Sequence, residues 1–455
     1  MQPQSTLPED ICGVIQQLVE LANESTSEVA EFEVASMAKL MEVGRALMKR
    51  RLEALTPTEE FVDGVLWRVA VNSGLRVMTS FGAVVVDRPL FRAHRNGPTR
   101  CLVEERAPLM AGFWTEKAAK LGALAIAEMP MERAEQFFAE AGCMPVSRSS
   151  LLRLGGHLSN LWEEDRQANE QAVREALDIP DKAKAVAVSL DGVMVLMTDS
   201  NKAGLKAAAR ARGQADKGPA GWHEASVGVI SFYDAEGERL HTRRYGRMPE
   251  EDKATTKSWL RKELEHIQTV RPDLKVLAIA DGAANNWTFL SNLGADYELV
   301  DFYHTAEHLH RHVSKANGAS TLDTQQKLRD MRHQLLEVPG AATKVFASLQ
   351  EIREQAGTEA ISTTKTKGKR QPTYFERHKD RMNFSEVRAQ NLPIGSGVTE
   401  STCKLTICDR LRRTGMRWSQ PGGQAVVTLR AHVVSEAFDP AWNVLTEANR
   451  ERLAA

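Results

Sequence analysis

The order of apolar and amphipathic runs between Lys182 and Val313 constrains this chain more than any other feature of its sequence. KAVAVSLDGVMVLM is a short, valine-rich apolar run of the kind that forms a buried strand. EASVGVISFYD and ERLHTRRYGR follow as two more strands, joined by a turn at Asp234-Ala235-Glu236-Gly237. EDKATTKSWLRKELEHIQTV has helical spacing. LKVLAIADGA is a fourth, wholly apolar strand, and YELVDFYHTAEHLHRHV is a short strand running into a helix. A chain that alternates in this way builds a mixed sheet flanked by helices. That element order is the order of an RNase H-like domain.

The rest of the chain reads differently. Residues 1–125 form a mainly helical region with a small β-hairpin. Ile11, Ile15, Leu18 and Val19 recur at three- and four-residue spacing, and Met37–Ala54 continues the pattern. A further helix is expected over Glu59–Val71, opened by Thr56-Pro57-Thr58. The β-branched and aromatic residues of LRVMTSFGAVVVDRPLFRAH, between Gly74 and Arg106, predict the hairpin. Residues 126–180 contain a helix-turn-helix pattern and a linker: MERAEQFFAEAG stops at Gly142, CMPVS turns, and Ser147 caps a second helix. Arg148 and Arg153 at the start of that helix point to DNA contact, with an ordinary packed helix pair as the alternative. Residues 181–305 carry the first part of the sheet domain. Residues 306–392 form a helical insertion, and 393–455 the final, largely helical part.

Net charge is −1, so any contact with a polyanion rests on local basic patches. The five cysteines are scattered, with no CxxC pair, which suits a reducing compartment. No basic start followed by an apolar run opens the chain, and no stretch approaches the ~18 apolar residues of a membrane helix. A cytoplasmic protein without membrane contact is expected.

Three acids stand out by position. Asp191 interrupts an apolar strand, where an isolated charge is costly unless paired, hydrogen-bonded or metal-bound. Asp281 ends an apolar strand, at the edge where open α/β sheets place ligands. Glu400 follows Gly395-Ser396-Gly397, in the first turn of a helix. Taken singly, each has an ordinary account: a strand acid satisfied by hydrogen bonds, a loop cap, or a first-turn glutamate matching the helix dipole. Together they match phosphoryl transfer, which needs charge neutralised on the attacking and leaving oxygens by two divalent ions about 4 Å apart. Mg²⁺ takes oxygen ligands and keeps waters, so a few carboxylates suffice.

LDGV, IADGAANNW, VDFYHTAEHL and LPIGSGVTESTCKLTICDRLRRTGMRWSQPGGQAVVTLRA occur in that order. This series resembles the bacterial insertion-sequence transposases of the ISKra group, within the DDE, RNase H-like superfamily. The resemblance is strongest over residues 183–310 and 392–432. It implies metal-dependent strand cleavage and strand transfer, with two Mg²⁺ or Mn²⁺ ions held by Asp191, Asp281 and Glu400. It also implies double-stranded DNA partners, namely the element's terminal inverted repeats and the target, and a homo-oligomer. A transposase-derived DNA-binding protein without catalysis, or an RNase H-like nuclease without strand transfer, are the competing readings. The long interval from Asp281 to Glu400 fits a helical insertion. The cysteine-rich metal module of some family members has no counterpart here, because Cys101 stands alone.

Asp301 and His304 form DFYH, similar to the Cys/Asp-x-x-His signature of the Mutator and hAT groups. A histidine there can position or protonate a phosphate oxygen, and a structural Asp–His contact pinning the insertion is the alternative. Among basic residues, Lys404, Arg410, Arg412, Arg413 and Arg417 crowd beside Trp418. The cations suit phosphate contact, and Trp418 suits either base stacking or burial. A second basic stretch holds Lys365, Lys367, Lys369 and Arg370, followed by Arg377, Lys379 and Arg381.

Overall fold

The computed structural model describes residues 9–23, 28–55, 59–62, 64–198, 220–317, 322–355 and 374–454. Lys365, Lys367, Lys369 and Arg370 lie outside them. The chain divides into two units, Met1–Val173 with Ala437–Ala455, and Arg174–Glu436.

In the first unit, α1 (Glu9–Asn23) packs on α2 (Val29–Glu53). Strands β1 (Glu59–Val62), β2 (Val65–Thr79) and β3 (Gly82–Arg92) then form an antiparallel sheet. The helix expected over Glu59–Val71 is therefore a strand pair. Val65, Trp67 and Val69 recur at period two, and β2 finds a partner along its length, with Val77 facing Val84 and Leu75 facing Val86. Cross-strand pairing of β-branched side chains overrides the weak helical spacing. The hairpin turns where Thr79 Oγ1 donates to Gly82 O at 2.8 Å.

Helices α3 (Leu102–Arg106), α4 (Glu116–Glu128), α5 (Met131–Glu140) and α6 (Arg148–Glu164) complete the N-terminal part. α5 stops where Gly142 takes φ 64°, and Ser147 caps α6 by accepting from Ser150 N–H at 3.3 Å. The two-helix pattern thus forms as read. Gly122 of α4 admits Leu154 of α6, since any Cβ there would stand 2.7 Å from its Cδ2. α7 (Arg166–Ala176) crosses the division between the units.

The second unit holds a five-stranded sheet of β4 (Ala185–Met197), β5 (Gly221–Tyr233), β6 (Arg239–Arg247), β7 (Lys275–Ala280) and β8 (Tyr297–Val300). The order is β6-β5-β4-β7-β8. β4 pairs antiparallel with β5, and β5 with β6, while β7 runs parallel to β4, and β8 to β7.

Helices cover both faces. On one, Tyr245 of β6 stacks on Trp259 of α8 (Ala254–Val270) with centroids 4.8 Å apart. On the other, a side chain at Gly246 would collide with Val427 and Thr406 and touch Ile407. α9 (Ala284–Leu290) follows β7. The described residues that follow β8 up to Ala389 are mainly helical, with α10 (Phe302–Asn317), which starts before residue 306, α11 (Leu322–Glu337), α12 (Ala341–Gln355), α13 (Tyr374–His378) and α14 (Phe384–Ala389). Its Leu309, Leu335, Val345 and Phe384 share one apolar core with Val188, Leu277 and Leu299 of the sheet.

α15 (Gly397–Thr402) runs through a π-helical turn, Cys403–Cys408, into Asp409–Leu411. α16 (Gln420–Val434) then lies against β6. The last helix, α17 (Phe438–Ala454), belongs to the first unit, so residues 393–455 do not close the sheet unit as one piece. There His157 Nε2 and Asn449 Oδ1 lie 3.0 Å apart. No helix among the described residues is long and apolar enough to cross a membrane.

Candidate active site

Sheet register places the acids. Val188 pairs with Ala278 across the parallel strands β4 and β7, so Asp191 and Asp281, each three residues further on, reach the same level. Ala280 pairs with Val300, which sets Asp301 level with Asp281. Three aspartates are therefore level on three adjacent strands: Asp281 and Asp301 just past the ends of β7 and β8, at the ligand-binding edge of an open sheet, and Asp191 midway along the longer β4. Asp191 pairs with Val227 and Val227 with Gly246, so Asp191 shares the face covered by the 397–434 segment. Its Oδ2 lies 3.6 Å from Cys403 Sγ of that segment.

Burial raises the Asp191 carboxyl above the ordinary carboxylate range, against the lowering effect of the Gly192 N–H that bonds its Oδ1 at 2.7 Å. The negative charge of Asp281 raises it further, and Lys253 opposes the rise. A buried carboxylate beside a second acid is an arrangement that a cation relieves. Asp281 is held in place by its own loop: its Oδ1 accepts from Ala283 N–H at 3.1 Å and from Asn286 Nδ2 at 3.2 Å. Gly282 is required beside it, because a side chain there would collide with the Tyr374 ring.

Glu400 comes to this end through Asp301. That residue is buried (1% exposed), and its Oδ2 accepts from the backbone N–H and, at 2.8 Å, the hydroxyl of Ser396, just before α15. Its Oδ1 accepts from His304 N–H at 2.7 Å and lies 3.1 Å from His304 Nδ1. One carboxylate thus ties the start of α10 to the start of α15, and His304 Nδ1 stands 4.0 Å from Glu400 Oε1. This is the pinning account of DFYH, extended to the Glu400 helix. Direct contact with Asp301 raises the His304 imidazole to about 9, helped by the charges of Glu400 and Asp281. Burial pushes Asp301 up, but the hydrogen bonds from His304 and Ser396 outweigh it and hold the carboxyl at about 2.

At neutral pH His304 is therefore a cation. Its contribution to stability is complete below the ordinary 6.5 and is lost as pH rises through about 9. The contribution of Asp301 is complete above the ordinary 3.8 and is lost as pH falls through about 2. In metal-free protein the His304 ring signals in NMR should titrate near 9, and in Asp301→Asn they should move towards 6.5. A midpoint unmoved by that substitution would contradict the pairing. His308 stacks on Tyr374 at 3.9 Å, and burial lowers it to about 4.

The donor set suits a hard divalent cation in kind, being carboxylate oxygen, and Asp191 with Asp281 carries the charge that such an ion neutralises. Among the described residues, however, no three acidic, histidine or cysteine side chains stand close enough to hold one ion. Glu400 faces His304 instead, with its side chain 59% exposed.

The basic residues divide. Lys404, Arg412, Arg413 and Arg417 are exposed. Arg410 is not: it is 2% exposed, its guanidinium lies 5.5 Å from the Trp418 ring, and burial lowers it to about 10. It serves packing, a correction to its expected DNA role. Trp418 is half-buried and structural. Its backbone bonds Leu196 O and Thr198 N–H at the end of β4, and its Nε1 donates to Leu411 O at 2.9 Å.

Trp222 was missed by sequence reasoning. It is 56% exposed, with Arg412 5.6 Å above its ring. Only its place on β5 opposite Leu196 brings it to the Glu400 segment; an aromatic residue flanked by glycine and histidine carries no local signal. Arg148 and Arg153 are exposed on α6 of the first unit.

No family model matches the chain, and no curated protein matches it. Among solved structures it is similar to the Drosophila P element transposase strand transfer complex, at 13% identity and a TM-score of 0.27. The match covers 73% of this chain and 80% of that one. A likeness this distant bears on neither the site nor the reaction.

Proposed function

We propose that the chain is a DNA transposase of the DDE type, with Asp191, Asp281 and Glu400 as its catalytic carboxylates. The observation that carries this reading is the level placement of Asp191 and Asp281 on neighbouring parallel strands, with Glu400 reaching the same end through Asp301 and His304. An RNase H-like sheet accounts for the strand order, three antiparallel strands followed by two parallel ones. The ordered motifs shared with ISKra-group transposases support the same assignment.

Mg²⁺ or Mn²⁺, two ions held by the three carboxylates, would supply the neutralising charge for attack on a DNA phosphate. Asp191 and Asp281 set the negative field at the strand ends. Protonated His304 restrains Glu400 and offers a positive charge towards a phosphate oxygen. Lys404, Arg412, Arg413 and Arg417 neutralise backbone phosphates beside the site. Trp222, in place of Trp418, offers a face for an unpaired base. Arg148 and Arg153 contact the element ends, and a homo-oligomer holds two ends together.

Wild-type protein incubated with Mn²⁺ and the DNA that flanks its gene should yield strands cut at the element end and joined to target DNA. Cut but unjoined products would favour a nuclease. DNA binding without cutting would favour the non-catalytic reading.

A further inference from the structure

Lys253 is a buried cation (7% exposed) at the start of α8, and the sequence offers no reason to notice it. Its Nζ lies 3.2 Å from Glu224 Oε1 and donates to Asn286 Oδ1 at 3.2 Å. Asn286 in turn donates to Asp281. Glu224 covers Gly192, where any Cβ would strike its carboxylate, so the network reaches the residue beside Asp191. Lys253 also lowers the proton affinity of Asp191.

The backbone is bent to put the ammonium there. Asp252 and Lys253 both take left-handed conformations, φ 51° and 53°, which residues with side chains adopt only when the surroundings enforce them. Two clamps do so: Glu250 Oε1 accepts from Thr255 N–H at 2.8 Å, and Asp252 pairs with Lys257 at 2.6 Å.

We propose that Lys253 is the resident counter-cation of the carboxylate site, compensating Asp191, Asp281 and Glu224 in metal-free protein and opposing the entry of a divalent cation. This rests on the metal-site reading of the carboxylates. A fixed positive charge beside a carboxylate site would weaken the binding of a divalent cation there by charge repulsion. The device offsets part of the repulsion between the acids before metal arrives and lowers the metal affinity.

The test measures Mn²⁺ binding by calorimetry and thermal unfolding without metal, in wild type, Lys253→Met, Lys253→Arg, Glu224→Gln and the Lys253→Met/Glu224→Gln double variant. Lys253→Met should bind Mn²⁺ at least tenfold more tightly than wild type and melt at lower temperature without it, while Lys253→Arg stays near wild type. The double variant should melt less far below Glu224→Gln than Lys253→Met melts below wild type. Unchanged or weaker Mn²⁺ binding by Lys253→Met overturns the proposal. If no variant binds Mn²⁺, the metal-site reading fails, and the unfolding cycle alone decides the counter-cation role, with additive losses overturning it.

Discussion

Asp191→Asn is expected to lower strand cleavage by about 10³-fold or more, the scale on which groups that meet developing charge act, with DNA affinity largely retained. The substitution preserves the shape of the side chain. An amide oxygen still accepts from Gly192 N–H, as Asp191 Oδ1 does at 2.7 Å, and the exposed cations Lys404, Arg412, Arg413 and Arg417 are untouched. What disappears is one negative charge that burial and Asp281 already disfavour. Without metal, the variant should therefore unfold at a temperature equal to or above that of wild type. Loss of cleavage with undiminished stability separates a chemical role from a folding defect, which lowers both. Undiminished cleavage by the variant would remove Asp191 from the catalytic set and with it the proposed reaction.

Glu263→Ala is expected to destabilise the sheet unit by about 3–5 kcal/mol, the range for removing one partner of a buried ion pair. Glu263 is 2% exposed and serves two buried arginines. Arg174 Nε donates to it at 2.9 Å, and Arg243, itself 1% exposed, donates from the other side. Arg243 also donates to the carbonyls of Leu177 and Asp178, at 2.8 and 3.1 Å. These contacts tie α7, α8, β6 and the approach to β4 together. Without the carboxylate, two guanidinium groups stay buried uncompensated. Urea unfolding followed by fluorescence measures the effect, with the exposed pair Arg388–Glu337 as a control expected to matter little. A loss below about 1 kcal/mol would mean that the arginines find water or other acceptors.

Much of the sheet unit was legible locally. A run such as KVLAIA has too few residues for a helix and too many branched apolar side chains for a loop, and it forms β7 as read. Ser147 and Gly142 likewise act as cap and stop. Glu59–Val71 was misread because a short apolar run satisfies helical and strand spacing at once, and only a partner strand decides between them. Arg410 illustrates the same limit at the site. Within an arginine run its charge looks solvated, yet its position after the π-helical turn carries it beneath Trp418, whereas Arg412 and Arg413 stay outside.

By itself the sequence determined the five strands of the second unit, most helices, and which acids sit where an apolar environment makes a carboxylate expensive, because these follow from periodicity and burial along a few neighbouring residues. Only the tertiary structure decided that Asp191, Asp281 and Asp301 stand level, that Asp301 joins two helix starts, and that Lys253 and Trp222 belong to the same end of the sheet. Those facts depend on strand register and on contacts between residues far apart in the chain, and no local pattern encodes either.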